Sequence, residues 1–437
     1  MKSFLDETFK LTENGTDVKT EVLAGITTFM TMAYIIFVNP NILSETGMSW
    51  GGVFIATVLA TALGTLCMAF LTNYPFAMAP GMGLNAFFAF SVCLGMGVPW
   101  QVALGIVFIE GVIFIALSIL PIREAIVNAI PMGVKSAIGA GIGLFIAFIG
   151  LQTAEIVVGD PATLVALGDL SSKTSLLALI GLILTGVLCA LEVKGALLLG
   201  IFGTTLIGAL PFFGVTPPFA GLVAWPSFGE WSKVLFQLDI RGALSWNLFG
   251  VMFAFLFVDM FDTVGTLIGV STQTDFLDED GKLPKAGRAL LSDAIGTVAG
   301  ALFGTSTVTT YVESAAGVAE GGRTGLTGVV ASILFLLSLF FMPLVGIVPA
   351  AATAPALIIV GVMMLKSALN VDWNDFTEAL PAFVTIAVMP LTYSISNGIA
   401  LGLILYPLMK LLTGQGNKVH WLVYFLGVLF VIHLLFA

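Results

Sequence analysis

Charged residues are scarce in this chain. Lys and Arg together number 16 and Asp and Glu 26, so only 10% of the 437 residues are charged. A soluble domain usually carries about 25% charged residues. This deficit excludes a soluble enzyme, because too few charges are present to coat a globule of this size. The net charge of −10 argues against a nucleic-acid-binding protein.

Cysteine and histidine are rarer still, with three Cys and two His. Cys67, Cys93 and Cys189 lie in apolar runs and are interpreted as buried free thiols. The sequence shows no His, Cys and carboxylate cluster with metal-ligand spacing and no Ser/His/Asp arrangement. We therefore expect no metal site, no cofactor and no catalytic residue, and the protein is not predicted to be an enzyme.

Apolar residues are abundant, at 58% of the sequence with a mean hydropathy of +1.07. They occur in runs of about 15–22 residues, which favours membrane-spanning helices over the alternating strands of a β-barrel. The sequence predicts an all-α polytopic membrane protein with about 14 spans. A further apolar stretch, residues 419–437, forms a C-terminal tail whose role the sequence leaves open.

Basic residues predict the orientation of these spans. With a cytoplasmic N-terminus, Lys and Arg fall mainly on the cytoplasmic side, and only Lys173, Lys233 and Arg241 lie outside. This distribution follows the positive-inside rule. It predicts a multi-pass protein of the cell (cytoplasmic) membrane.

A Pro- and Trp-rich connecting loop, residues 213–246, divides the predicted spans into two sets of seven. The first set lies in residues 1–212 and the second in residues 247–437. An odd number of spans in each half inverts one half relative to the other in the membrane. Secondary transporters are commonly built from such inverted repeats.

Ionisable residues within apolar runs are costly and therefore informative. The sequence contains five such carboxylates: Glu110, Asp259, Asp262, Asp293 and Glu313. Asp259 and Asp262 are three residues apart, which places both on one face of a helix. Two nearby carboxylates in a low dielectric favour proton uptake by one of them, so this pair is a candidate proton carrier.

Two segments interrupt the helical pattern at corresponding places in the two halves. Residues 74–88 contain Pro and Gly at mid-membrane depth, and residues 304–317 are rich in Gly, Ser and Thr. Irregular backbone at that depth is tolerated where it is buried or lines a cavity, and paired interruptions indicate a transporter's binding site. We therefore expect Asn85 and Glu313 near the starts of two half-helices, with Phe87 placed to stack on a ligand ring.

The two remaining carboxylates are less informative. Asp293 precedes the second interrupted segment, and a structural hydrogen bond and a place on a proton path explain it equally well. Glu110, in the run Phe108-Ile-Glu-Gly111, has no partner that the sequence identifies.

Three motifs together carry a family resemblance over nearly the whole chain. They are Ala79-Pro-Gly-Met-Gly-Leu-Asn-Ala-Phe-Phe88, Phe257-Val-Asp-Met-Phe-Asp-Thr-Val-Gly-Thr266, and the run from Gly304-Thr-Ser-Thr through Glu313-Ser-Ala-Ala-Gly-Val to Gly325. The sequence resembles the AzgA-like branch of the nucleobase–cation symporter 2 (nucleobase:ascorbate transporter) family. Within that branch it is most similar to bacterial guanine/hypoxanthine permeases.

The resemblance implies the uracil-transporter fold, a 7+7 inverted repeat in which short strands precede broken third and tenth helices. It implies a core domain, spanning about residues 20–120 and 247–347, that moves in an elevator-like cycle against a gate domain. The gate would span about residues 134–211 and 354–413. The resemblance also implies that two copies can associate as a homodimer.

By the same resemblance, Asn85, Asp259 and Glu313 match positions that contact or orient the purine, and Tyr311 and Val312 match backbone that lines the base. Asp262 matches a position needed in transport, and Asp293 an acid linked to proton coupling. The chain departs from the xanthine and uracil branches at Glu313-Ser-Ala-Ala-Gly317, where those branches carry a Gln/Glu-Asn-x-Gly signature. This favours hypoxanthine, guanine or adenine as the substrate.

The expected function is therefore purine nucleobase import by proton symport, with Asp259, Asp262, Asp293 and Glu313 as candidate proton-coupling residues. A proton is favoured over Na⁺ because no hydroxyl-and-carbonyl sodium cage is evident in the sequence. The alternatives are an anion transporter or exchanger of the same fold, a xanthine/uracil permease, and, from another class, a channel or membrane-embedded enzyme. An anion carrier is disfavoured because no Lys or Arg lies near the start of either half-helix.

Overall fold

A computed structural model describes residues 2–119, 131–219, 221–271, 276 and 283–436. Arg123 and Lys282, two of the basic residues that contribute to the predicted orientation, lie outside these ranges. The described part of the chain is mainly helical, with four short strands.

The first half of the chain begins with a short helix and continues through long apolar ones. Its helices are α1 (Lys2–Phe9), α2 (Val18–Met32), α3 (Ile35–Ser44), α4 (Trp50–Thr72), α5 (Met82–Ala86, continued by a π-helical segment Phe87–Gly95), α6 (Trp100–Ile119), α7 (Met132–Thr153), α8 (Lys173–Ala190) and α9 (Ala196–Gly208). Strand β1 (Met78–Pro80) precedes α5, and the antiparallel hairpin β2 (Val157–Asp160) and β3 (Leu164–Leu167) follows α7.

The connection to the second half contains only short helical turns, at Phe228–Trp231, Ile240–Ala243 and Trp246–Leu248. The second half then contains α10 (Phe249–Ser271), α11 (Ala286–Phe303), strand β4 (Val308–Thr310), α12 (Ser314–Ala319), α13 (Gly325–Ser338), α14 (Ala350–Leu365), α15 (Phe376–Leu391), α16 (Ile395–Leu412) and α17 (Trp421–Phe436).

The helices have the lengths and composition of a membrane protein. Within the described ranges, nine helical stretches are long and apolar enough to cross a membrane. Four more are apolar but shorter: Met82–Gly95, Ala196–Gly208, Phe376–Leu391 and Trp421–Ile432. The predicted class, a helical polytopic membrane protein, is confirmed.

The helices pack into two sets. In one set α4 packs against α11 and α13, α2 packs against α13 and α12, and α6 packs against α11 and α10. In the other set α7 packs against α14 and α15, while α8 packs against α9 and α14. The first set also contains β1 and β4, so it holds both interrupted segments.

Glycine allows the closest helix approach in the second set, between α7 and α14. A Cβ atom on Gly361 would collide with the carbonyl oxygen of Gly143 and lie 2.9 Å from the backbone nitrogen of Ala147. Backbone atoms cannot move aside as a side chain can. Small residues at such crossings let membrane helices gain van der Waals contact that lipid does not provide.

We expect Gly361→Ala to destabilise the protein by about 1–3 kcal/mol, because the added methyl overpacks a backbone-to-backbone contact. Thermal unfolding of the purified protein in detergent would measure the change. Gly186→Ala in α8 is the matched control, since no atom lies within 4 Å of its added Cβ. Equal melting temperatures for the two variants would contradict the close contact.

Candidate functional site

Two short, fully buried strands frame the site. β1 and β4 pair antiparallel, with Met78 opposite Thr310, and the ladder continues where the Gly81 N–H donates to the Thr307 carbonyl at 2.9 Å. Helix α5 begins directly after β1, and α12 begins a few residues after β4. The strand pair therefore fixes the starts of both helices relative to each other.

Glu313 lies between β4 and α12, at the residue that precedes the helix. Its Oε1 accepts a hydrogen bond from the Tyr34 hydroxyl at 2.7 Å. Tyr34 is itself buried and lies at the interruption between α2 and α3. Glu313 as a residue remains partly exposed.

Asp262, Tyr311 and Val312 lie beside Glu313. Asp262, from α10, is also partly exposed and lies close enough to Glu313 for the two carboxyl groups to repel each other electrostatically. The Tyr311 hydroxyl donates to the Pro80 carbonyl at 2.5 Å and so ties this cluster to β1. Val312 is 56% exposed, which identifies the open side of the cluster.

Asn85 and Phe87 are buried and hold internal partners. The Asn85 Oδ1 accepts a hydrogen bond from the Ser306 hydroxyl, and its Nδ2 donates to the Pro80 carbonyl at 3.3 Å. Phe87 packs its ring 4.8 Å from that of Phe255. In this conformation Phe87 is a packing residue, and its ring presents no open face to a ligand.

Asp259 and Asp293 belong to a second cluster, which is fully buried. The Thr263 hydroxyl donates to Asp293 Oδ1 at 2.6 Å and also lies 2.6 Å from the Thr309 hydroxyl in β4. Asp259 Oδ2 is 3.5 Å from the Thr297 hydroxyl, at the limit of hydrogen bonding. Side chains of α10 and α11 thus connect this cluster to β4.

Glu110 is the third carboxyl group of the buried cluster. It comes from α6, is fully buried, and lies close enough to Asp259 for a hydrogen bond between the two side chains. Its charge also interacts with that of Asp293. The structure therefore supplies the partner that the sequence did not identify for Glu110.

The predicted carboxyl groups thus separate into two clusters rather than one. Asp262, Tyr311, Val312 and Glu313 form a partly open cluster with Tyr34, whereas Asp259 and Asp293 form a closed one with Glu110. Asp259 and Asp262 are neighbours on α10, as their spacing indicates, yet each faces a different cluster. Among the described residues, no group of three His, Cys, Asp or Glu side chains is arranged to hold a metal ion.

Sequence reasoning missed Tyr34, because a lone tyrosine in an apolar run resembles a packing residue. Its signal was the shortage of such residues, since the chain contains only six Tyr. A buried phenol hydroxyl usually has a partner, and in this chain that partner is Glu313, 279 positions away.

The architecture and the buried carboxyl groups define a class, a polytopic helical membrane protein with ionisable groups in its interior. The model of the permease family Xan_ur_permease matches residues 19–401. The chain belongs to this family, the nucleobase:ascorbate transporters, which confirms the resemblance drawn from its motifs.

Relatives of high identity match over nearly their full length. A putative permease of Methanocaldococcus jannaschii is 53% identical over 99% of this chain and 98% of its own. Adenine permease AdeP of Escherichia coli is 44% identical, covering 100% of this chain and 97% of its own. Guanine/hypoxanthine permease PbuO of Bacillus subtilis is 46% identical, covering 98% of this chain and 99% of its own.

Among solved structures, the transmembrane domain of the cyanobacterial bicarbonate transporter BicA shares the fold. The match has a TM-score of 0.63 at 18% identity and covers 88% of this chain and 97% of that domain. At this identity the likeness concerns the fold alone.

Proposed function

We propose that this protein imports purine nucleobases (hypoxanthine, guanine or adenine) across the cell membrane by proton symport. The observation that carries the proposal is the partly exposed Glu313 carboxylate, oriented by Tyr34 beside Asp262 in a chain with purine-permease relatives. The distribution of Lys and Arg supports a cytoplasmic N-terminus, and the proposal includes a homodimer.

The open cluster around Glu313 can form hydrogen bonds with the edge of a purine ring. An ionised carboxylate only accepts hydrogen bonds, and a purine offers ring N–H donors next to ring-nitrogen acceptors. Glu313 would accept from the ring N–H, while the backbone of Tyr311 and Val312 would line the base. Asn85 would contribute its amide once its hydrogen bond with Ser306 exchanges for one with the ligand.

We further propose the 7+7 inverted repeat and the elevator-type cycle. The two packing sets support this division, since the set with both strands corresponds to the core and the set around α7 and α14 to the gate. The antiparallel pairing of β1 and β4, one from each half, is what two repeats related by a pseudo-two-fold axis would give.

Uptake into proteoliposomes would test the proposal. We expect radiolabelled hypoxanthine to be taken up, with guanine or adenine competing and xanthine and uracil competing poorly. An inward pH gradient should drive accumulation, and an uncoupler should abolish it. Saturable counterflow would separate a carrier from a channel. Hypoxanthine uptake that ignores the pH gradient would contradict proton symport while leaving purine transport intact.

An anion carrier of this fold is the second candidate, and the charges at the site disfavour it. The Glu313 and Asp262 carboxylates face the open side and would repel an anion. The side-chain donors to Glu313, Asp259 and Asn85 in the described part of the chain include the hydroxyl groups of Tyr34, Thr297 and Ser306. A nearby cation is Lys135, whose Nζ lies 5.8 Å from the ring centroid of Phe261, the residue that precedes Asp262. Bicarbonate flux through the proteoliposomes would measure this alternative directly.

A further inference from the structure

The buried cluster of Glu110, Asp259 and Asp293 has a chemistry distinct from that of the open cluster. α6 supplies Glu110, α10 supplies Asp259 and α11 supplies Asp293, and all three side chains are fully inaccessible to solvent. Three ionised carboxylates buried near one another would repel strongly, because low dielectric surroundings screen charge poorly. The cluster therefore needs a compensating positive charge or a bound proton.

Of the four carboxyl oxygens in the Glu110–Asp259 pair, Asp259 Oδ2 alone has a donor among the described residues, the Thr297 hydroxyl at 3.5 Å. Both carboxyl oxygens of Glu110, and Oδ1 of Asp259, lack a hydrogen-bond donor among the N–H and hydroxyl groups there. Yet the two side chains are within hydrogen-bonding reach of each other. A carboxylate can only accept, so a hydrogen bond between two carboxyl groups requires a proton on one of them.

Two cations lie on elements packed against α6 within the described ranges, Arg241 and, at the start of α11, Arg288, and both are exposed rather than directed at this pair. Asp259 faces it from α10 and Asp293 from α11. The turn that carries Asp239 and Arg241 packs farther along α6, against Val102 and Gly105, and the π-helical segment 87–95 contributes only Cys93 as a titratable group.

The Glu110–Asp259 pair is connected to β4 through Thr297, whose hydroxyl lies 3.5 Å from Asp259 Oδ2. The Thr297 hydroxyl donates to the Val308 carbonyl at 3.0 Å and accepts from the Val308 N–H at 3.2 Å. On the other side of Asp259, Asp262 lies one helical turn along α10 and faces Glu313. A change of charge on Asp259 therefore acts on the strand and the helix that hold the proposed purine site.

We propose that Glu110 and Asp259 form the proton-coupling pair, which binds one H⁺ between their two carboxyl groups, while Glu313 binds the purine. This inference rests on the proposed proton symport. Loading adds one H⁺ from the outer medium to a pair of carboxylates and joins them by a hydrogen bond. Release of that H⁺ to the inside restores two carboxylates, which repel each other across the contact between α6 and α10.

Glu110→Gln in proteoliposomes is the test, with a pH-sensitive dye inside and hypoxanthine added outside. A glutamine can donate its amide N–H to Asp259, so the pair would hold together without a proton. We expect hypoxanthine counterflow to persist while hypoxanthine-driven proton influx and pH-driven accumulation are lost. In a one-to-one symporter, accumulation amounts to about tenfold per pH unit.

The control is Glu45→Gln, an exposed carboxyl group at the end of α3, which should keep both activities. Proton influx of wild-type size in Glu110→Gln would overturn the inference. Counterflow without proton influx in the wild type would instead overturn proton symport itself. If Glu110→Gln does not fold, Glu110→Asp replaces it. We expect that variant to remain coupled with a shifted pH profile of uptake, and a profile identical to wild type would overturn the inference.

Discussion

Replacing Glu313 with Gln is expected to lower hypoxanthine uptake more than any other single change at the open cluster. The variant keeps the size of the side chain but loses the charge that would accept from a purine N–H. A hydrogen bond to a charged group contributes about 1.5–3 kcal/mol, so the apparent affinity should fall roughly 10- to 100-fold. The measurement is the concentration dependence of radiolabelled hypoxanthine uptake.

Two companion variants make this result specific to the site. Tyr34→Phe removes the hydroxyl that donates to Glu313 at 2.7 Å and should weaken uptake less than Glu313→Gln does. In the double variant the two effects should not add, because Tyr34 acts through Glu313. Glu192→Gln alters an exposed carboxyl group and should leave uptake unchanged. A Glu313→Gln protein with wild-type affinity would contradict the assignment of Glu313 as a purine ligand.

The second large effect is on stability and concerns Glu21. This carboxylate of α2 is fully buried and serves the start of α13. Its Oε1 accepts from the backbone N–H groups of Arg323 at 2.8 Å and Thr324 at 3.2 Å. Its Oε2 accepts from the Thr327 backbone N–H at 3.1 Å and from the Thr327 hydroxyl at 2.6 Å.

Glu21→Leu would remove the shared acceptor of these four donors, of which the Thr327 N–H alone keeps a second one, the Thr324 carbonyl at 3.2 Å. Each unsatisfied group costs about 1–3 kcal/mol, so we expect a loss of about 3 kcal/mol or more and a clear fall in melting temperature in detergent. Glu21→Gln retains one acceptor oxygen, so its melting temperature should lie between those of Glu21→Leu and the wild type. If Glu21→Leu melted together with the wild type, the start of α13 would not depend on this carboxylate.

Sequence patterns were sufficient for the class of the protein and for the two segments where its helices are interrupted. Long apolar runs and scarce charge are global properties, and they identify membrane helices without any contact information. Helix breaks at Pro and Gly are local properties, and they located the segments that form β1 and β4 and the helices that follow.

Contacts between distant segments lay beyond sequence reasoning. Spacing showed that Asp259 and Asp262 are neighbours on one helix, but it could not show that one faces Glu110 and the other Glu313. Glu110 lacked a recognisable partner because that partner comes from the other half of the chain. Glu21 was overlooked for a similar reason, since its position before an apolar run resembles an ordinary helix start.

The pairing of β1 with β4 also has a consequence for synthesis in the cell. Next to β1, the Ala77 N–H donates to the Ser314 hydroxyl at 2.9 Å, and these two residues are 237 positions apart in the sequence. At about 5–20 residues per second, the ribosome needs roughly 10–50 s to make that intervening chain. During this interval the backbone of β1 has no strand to pair with. The first half therefore completes its fold only after α12 has been synthesised.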